Sequence, residues 1–145
     1  MSYDVVVGVD TSEASGRAVR LACQLQSTEL VGPVLLVHVV PWSPFSFATP
    51  EENERRHIER QKEIQAAESQ VLDPMLQIAH TSGGRADTAV RHGDPVEVLE
   101  DIAREESARL LIIGRTGDTG LRQRLFGGLP AHLVQSAPVP VVVVP

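Results

Sequence analysis

Lysine is almost missing from this 145-residue chain: of 13 basic residues only Lys62 is a lysine, and the other twelve are arginines. A Walker A loop needs Gly-Lys-Ser/Thr, and Lys62 sits in a charged stretch without glycine, so any phosphate site must use backbone amides or arginine. Schiff-base chemistry has only Lys62 to draw on, and nothing around it in the sequence would depress its pKa. Cysteine is equally scarce. The lone Cys23 rules out an intramolecular disulfide and every Cys-pair metal motif, which favours a reducing cytoplasmic setting. No apolar run approaches the ~18 residues of a membrane helix, and the N-terminus lacks the basic segment and long apolar core of a signal peptide. Positive charge is also in deficit: 19 acids leave a net charge of −6, which argues against nucleic acid as a partner. The chain is expected to be cytoplasmic, without membrane or nucleic-acid partners.

What remains is enough for one core. A chain of this length buries roughly 70% of its unfolded surface and needs no disulfide or metal staple. A single domain over residues 1–145 is expected. Four runs are almost continuously apolar and rich in valine and isoleucine: residues 5–9, 34–40, 110–113 and 139–144. Unbroken rather than alternating runs suit strands covered on both faces, as in a parallel sheet between helical layers. The more polar stretch from Ala86 to Arg91 is expected as a fifth strand at an edge.

Helical patterns separate these runs. Ser12 caps a helix whose buried face carries Ala14, Ala18, Leu21, Ala22 and Leu25. Residues 51–82 form a long helix that Pro74 should kink or divide. Asp94-Pro95-Val96-Glu97 starts another, with a capping acid, a proline at the first helical position and Glu97 three residues after the cap. A short last helix follows Gly127-Gly128 and stops before Pro138. Strands and helices thus alternate, which predicts a doubly wound α/β domain with right-handed crossovers. Ligands of such folds bind beyond the carboxyl ends of the strands, where strand order reverses.

Two strand ends carry chemistry. Asp10-Thr11-Ser12 offers an acid and two hydroxyls at the entrance to the first helix. The aspartate can receive a ribose or base, or simply complete a turn and favour the helix N-terminus electrostatically. After the fourth strand, residues 114–128 hold five glycines and three arginines against one acid. Glycines let backbone amides approach phosphate, a helix N-terminus adds partial positive charge, and arginine grips phosphate with two donors. The alternative is a surface loop whose glycines only make turns.

The spacing is more specific than the composition. Gly114-x-x-Gly117, nine residues and then Gly127 resembles the Gly-x-x-Gly-x9-Gly-Ser/Thr signature of the universal stress protein family. The opening Val-Val-Gly-Val-Asp-Thr-Ser, the Leu-Val-His-Val-Val at 36–40, the Gly93-Asp94-Pro95 turn, the strand from Ala108 to Gly114 and the valine-rich close from Ala137 resemble it too. The resemblance implies a Rossmann-like three-layer sandwich, with a five-stranded parallel sheet and helices on both faces. It also implies a homodimer, through the strand from Val139 to Val144, and adenine-nucleotide binding: ATP, or ADP or AMP, with or without magnesium. By the same resemblance, Asp10 meets the adenosine end, Val39 contacts adenine through its backbone, and Gly114, Arg115 and Gly117 surround ribose and phosphates. Gly127, Gly128 and Leu129 would offer amides to the phosphate tail.

One departure counts against this. Gly128 stands where ATP-binding members carry Ser or Thr, which removes a phosphate donor worth about 1–3 kcal/mol. Pro130 has no amide to give either. Arg115, Arg122 and Arg124 can offset these losses.

Other residues point to packing. The five histidines share no i, i+3 or i+4 spacing that would make a local metal pair. His38 reads as a hydrogen-bonded core residue, and Cys23 as helix packing. No Gly-x-Ser-x-Gly elbow or triad is visible, and Ser82-Gly83-Gly84 follows a helix rather than a strand. The mixed charges of residues 51–63 read as a solvated helix face. Three of the five aromatic residues, Trp42, Phe45 and Phe47, fall in one loop, expected to cover the adenine side of the cleft or meet a protein partner. The function expected is a dimeric nucleotide-binding stress-response module, not an enzyme beyond slow ATP hydrolysis. The alternatives are a member that has lost nucleotide binding and works as a protein-interaction module, and an enzyme of the wider nucleotide-binding α/β group.

Overall fold

The structure is a computed structural model and describes residues 2–42, 49–116 and 128–145. Five strands form one all-parallel sheet in the order β3-β2-β1-β4-β5. They are β1 (Val5–Gly8), β2 (Val34–Val40), β3 (Ala86–His92), β4 (Leu110–Gly114) and β5 (Val141–Val144). Among the described residues the helices are α1 (Glu13–Ser27), α2 (Pro50–Ala67), α3 (Asp73–Thr81), α4 (Pro95–Glu105) and α5 (Gly128–Ser136).

Strand composition explains strand position. β1 and the middle of β4 are sealed on both faces, because α1 and α3 cover one side of the sheet and α4 and α5 the other. Alternate residues of β2 divide accordingly: Val34 and Leu36 join the core under α1 and α3, while Leu35 and Val37 join the core under α4 and α5. The polar β3 takes one edge, as its sequence suggests, and β5 takes the other.

Helix starts follow side-chain chemistry. Ser12 accepts from the Ser15 amide at 3.2 Å, and Asp94 accepts from the Glu97 amide at 3.1 Å. α2 begins with a reciprocal capping box between Thr49 and Glu52, which places its first residue at Pro50 rather than Glu51. The division expected at Pro74 lies just before it, as a π-helical turn over Glu68–Leu72. A proline ring crowds the carbonyl four residues back, here Gln70, and the wider turn absorbs that clash.

The last strand is shorter than its apolar run. It begins at Val141 rather than Val139, because Pro138 and Pro140 have no amide for the ladder; Pro140 contributes only its carbonyl, which accepts from Leu111 at 3.0 Å. β1 likewise ends at Gly8, although the Val9 amide still donates to the Val37 carbonyl at 2.9 Å.

Candidate functional site

The chain runs outward from β1 through β2 to β3, then returns to place β4 and β5 on the other side, so strand order reverses between β1 and β4. A cleft of about 290 Å³ opens at this end of the sheet. Its floor comes from the ends of β1, β2 and β4: Gly8 to Asp10, Val37 to Pro41, and Ile113 and Gly114. Its walls come from Ser15 of α1, Pro95 and Leu99 of α4, and Leu129 and Pro130 of α5. A mostly apolar hollow with a few polar groups is the usual form of a small-molecule site.

One wall is held by a compact hydroxyl and carboxylate network. Asp10 Oδ1 accepts from the Ser12 amide at 2.9 Å and from Ser15 Oγ at 2.8 Å. The Asp10 amide donates back to Ser15 Oγ at 3.0 Å. Asp10 therefore does complete the turn into α1, and that task fixes its carboxylate at the cleft. Ser15, 3% exposed, is the one buried polar residue among the described residues. Its signal in the sequence is a hydroxyl three residues past the serine cap, which the motif pattern does not mark.

α1 also approaches β4 unusually closely. A side-chain carbon on Gly114 would lie 2.7 Å from Ala14 Cβ and 2.9 Å from the Ala14 carbonyl carbon, so glycine is required here. Of the expected site residues, Asp10, Val39, Gly114 and Leu129 line the cleft. Arg115 is exposed and not part of the lining, and its amide is spent on the Val144 carbonyl at 2.6 Å. Gly128 starts α5 with φ of +60°, a left-handed conformation that would strain the serine or threonine of the motif. Gly117, Arg122, Arg124 and Gly127 lie outside the described residues.

His38 makes the hydrogen bond expected of it, with Nδ1 2.8 Å from the Val9 carbonyl, but it is half-buried at the cleft rather than a core residue, because it lies past Leu36 at the open end of β2. Cys23 is fully buried against the Gly84 backbone, and burial pushes its thiol pKa up, which leaves it a poor nucleophile. No cluster of three or more metal-ligating side chains occurs among the described residues, and no helix among them is long and apolar enough to cross a membrane. Trp42, the described part of the aromatic loop, stays 55% exposed yet stacks on His92 at 4.9 Å, with the Arg60 guanidinium 4.8 Å from its ring centre. Phe45 and Phe47 lie outside the described residues.

Known proteins agree with this architecture. The universal stress protein family model matches residues 1–145. A universal stress protein of Methanocaldococcus jannaschii is 28% identical over 140 residues, covering 97% of this chain and 80% of the relative. One from Mycobacterium tuberculosis is 28% identical over 148 residues, covering 97% and 94%. Among solved structures, the universal stress protein UspA from Lactobacillus plantarum superposes with a TM-score of 0.77 at 23% identity, covering 100% of this chain and 99% of that one. One from Archaeoglobus fulgidus in complex with dAMP gives 0.66 at 23% identity, with both chains fully covered. A family protein from Arabidopsis thaliana with AMP bound gives 0.61 at 20% identity, covering 97% and 89%. At these identities the superpositions speak for the fold, a three-layer Rossmann-like α/β sandwich. With the family model matched from the first residue to the last, the chain belongs to the universal stress protein family.

Proposed function

We propose that the cleft binds an adenine nucleotide and that the protein acts as a cytoplasmic stress-response module rather than a turnover enzyme. The observation that carries this reading is the convergence of Asp10, Val39, Gly114 and Leu129 on one cleft at the point of strand reversal. These four come from four separate segments, and each holds a place in the motif pattern. Two structural relatives were solved with AMP and dAMP, ligands of the same chemical class. At about 290 Å³ the cleft sits at the small end of ligand sites, roughly 300–1,000 Å³, and suits a nucleoside with its phosphates directed outward. ATP, with or without magnesium, remains part of the proposal, with Arg122 and Arg124 holding its phosphates.

Calorimetry with ATP, ADP and AMP, in magnesium and in chelator, tests this directly. Binding of at least one is expected, and replacing Arg122 and Arg124 together by alanine should weaken the tightest by roughly tenfold or more, the worth of a charge-assisted contact. Absence of heat with all three nucleotides would sink the reading. It would favour the second one, a protein-interaction module, which the missing hydroxyl at Gly128 and the missing amide at Pro130 support.

The same proposal includes a homodimer. β5 lies at the sheet edge with four successive valines, all half-buried. An open apolar edge invites uncontrolled pairing, whereas a twofold mate closes it. Light scattering at micromolar concentration should give twice the 15.7 kDa chain mass; a monomer mass would refute the pairing.

A further inference from the structure

We propose that His38 binds the ligand directly, its Nε2 accepting a hydrogen bond from an N–H or O–H of the nucleotide; this rests on the nucleotide reading above. His38 belongs to the cleft lining and stands on β2, on the α1 side of the sheet, past the last core residue of that face, Leu36. Nδ1 lies 2.8 Å from the Val9 carbonyl at the end of β1. A carbonyl can only accept, so Nδ1 carries the proton. In the neutral ring Nε2 is then a bare acceptor, with its orientation set by the backbone rather than by a mobile side chain.

Nε2 has no hydrogen-bond partner among the described residues, yet no buried side-chain nitrogen or oxygen among them lacks one. The atom is therefore not sealed inside the core, and its residue lines the cleft. The neighbouring polar groups are engaged with each other: Ser15 Oγ and the Ser12 amide both donate to Asp10 Oδ1. An adenine nucleotide offers two matching donors, the exocyclic amine of the base and the ribose hydroxyls. The shared requirement is a donor facing a fixed acceptor beside the strand reversal.

The test compares wild type with His38→Asn, whose amide nitrogen can keep the Val9 contact while nothing reaches the Nε2 position. Each is titrated with AMP, 2′-deoxy-AMP, 3′-deoxy-AMP and purine riboside monophosphate, which lacks the amine. His38→Asn is expected to bind AMP roughly 3- to 10-fold more weakly, the worth of one neutral hydrogen bond. The loss should vanish for the one analogue that lacks the paired donor, which identifies the source. Unchanged AMP affinity, or an equal loss for all four ligands, overturns the proposal. Failure of the wild type to bind any of them removes the nucleotide reading and this inference together. Imidazole nitrogen NMR of the wild type needs no variant: AMP should move the His38 Nε2 resonance and leave Nδ1 in place, and a stationary Nε2 overturns the proposal.

Discussion

Replacing Gly114 by alanine is expected to destabilise the protein by about 2–3 kcal/mol, near the upper end of overpacking costs, and to abolish nucleotide binding. The added carbon would meet Ala14 Cβ at 2.7 Å, the Ala14 carbonyl carbon at 2.9 Å and the Ser15 amide nitrogen at 3.1 Å. Two of these three are backbone atoms of α1, so no side-chain rotation relieves the clash. The helix start must lift from β4, and it cannot do so freely. Ser12 caps it, and Asp10 ties it to the end of β1 through Ser15. Movement there displaces the carboxylate at the cleft, which couples the loss of stability to the loss of binding. Gly16→Ala is the matching control. There the added carbon meets the tip of the Ile78 side chain at 3.2 Å, a group that can turn aside. Removing a mid-helix glycine also gains roughly 0.5–1 kcal/mol, so Gly16→Ala should fall close to wild type. Urea unfolding of both variants checks the contrast, and equal midpoints would refute the close-approach argument.

Gly114 shows what a sequence can and cannot reveal. Its place in the Gly-x-x-Gly spacing marks it as special, yet the reason, contact with Ala14, joins residues a hundred positions apart and has no local trace. Much of the fold was legible because burial on both faces leaves a one-dimensional record. Val5 to Val7 and Leu111 to Ile113 are unbroken apolar runs since both layers of helices cover them, and Ala86 to His92 is mixed since it lies at the edge. The parts that escaped depend on geometry between segments. The π-helical turn at Glu68–Leu72 answers a clash raised by Pro74, and residue type does not say which turn will widen. The Trp42 ring looks like a loop aromatic in the sequence, while its stacking on His92 depends on the side-by-side ends of β2 and β3. For the site, Asp10, Val39 and Leu129 were readable from the motif pattern. The hydrogen bond that ties Ser15 to Asp10 and the Val9 partner of His38 appear only once β1, β2 and α1 are brought together.

Truncating Leu36 to alanine should produce the largest loss of stability, and Leu99→Ala is its informative counterpart. Both side chains are essentially unexposed, at 0% and 1%, so equal loss of apolar area is removed in each case. The cavities left behind differ. Leu36 lies on β2, paired with Val7 on one side and Thr88 on the other, within the core under α1 and α3. A void there is dry and closed, and a cost of about 4 kcal/mol is expected from the range of roughly 2–5 kcal/mol for such truncations. Leu99 projects from α4 toward β1, where its Cδ1 would lie 3.0 Å from a carbon added to Gly8, and it also lines the cleft. Its void opens onto solvent, which can refill it, so about 2–3 kcal/mol is expected. Binding should show the reverse order. Leu99→Ala removes an apolar wall of the cleft and should weaken nucleotide affinity severalfold, while Leu36→Ala, once folded, should bind as wild type does. Against a total stability of about 5–15 kcal/mol for a domain of this kind, the Leu36 loss alone is a large share. Denaturant unfolding and calorimetry on the two variants separate the effects. If Leu99→Ala cost as much stability as Leu36→Ala and left binding intact, Leu99 would belong to the closed core alone and the cleft would end short of α4.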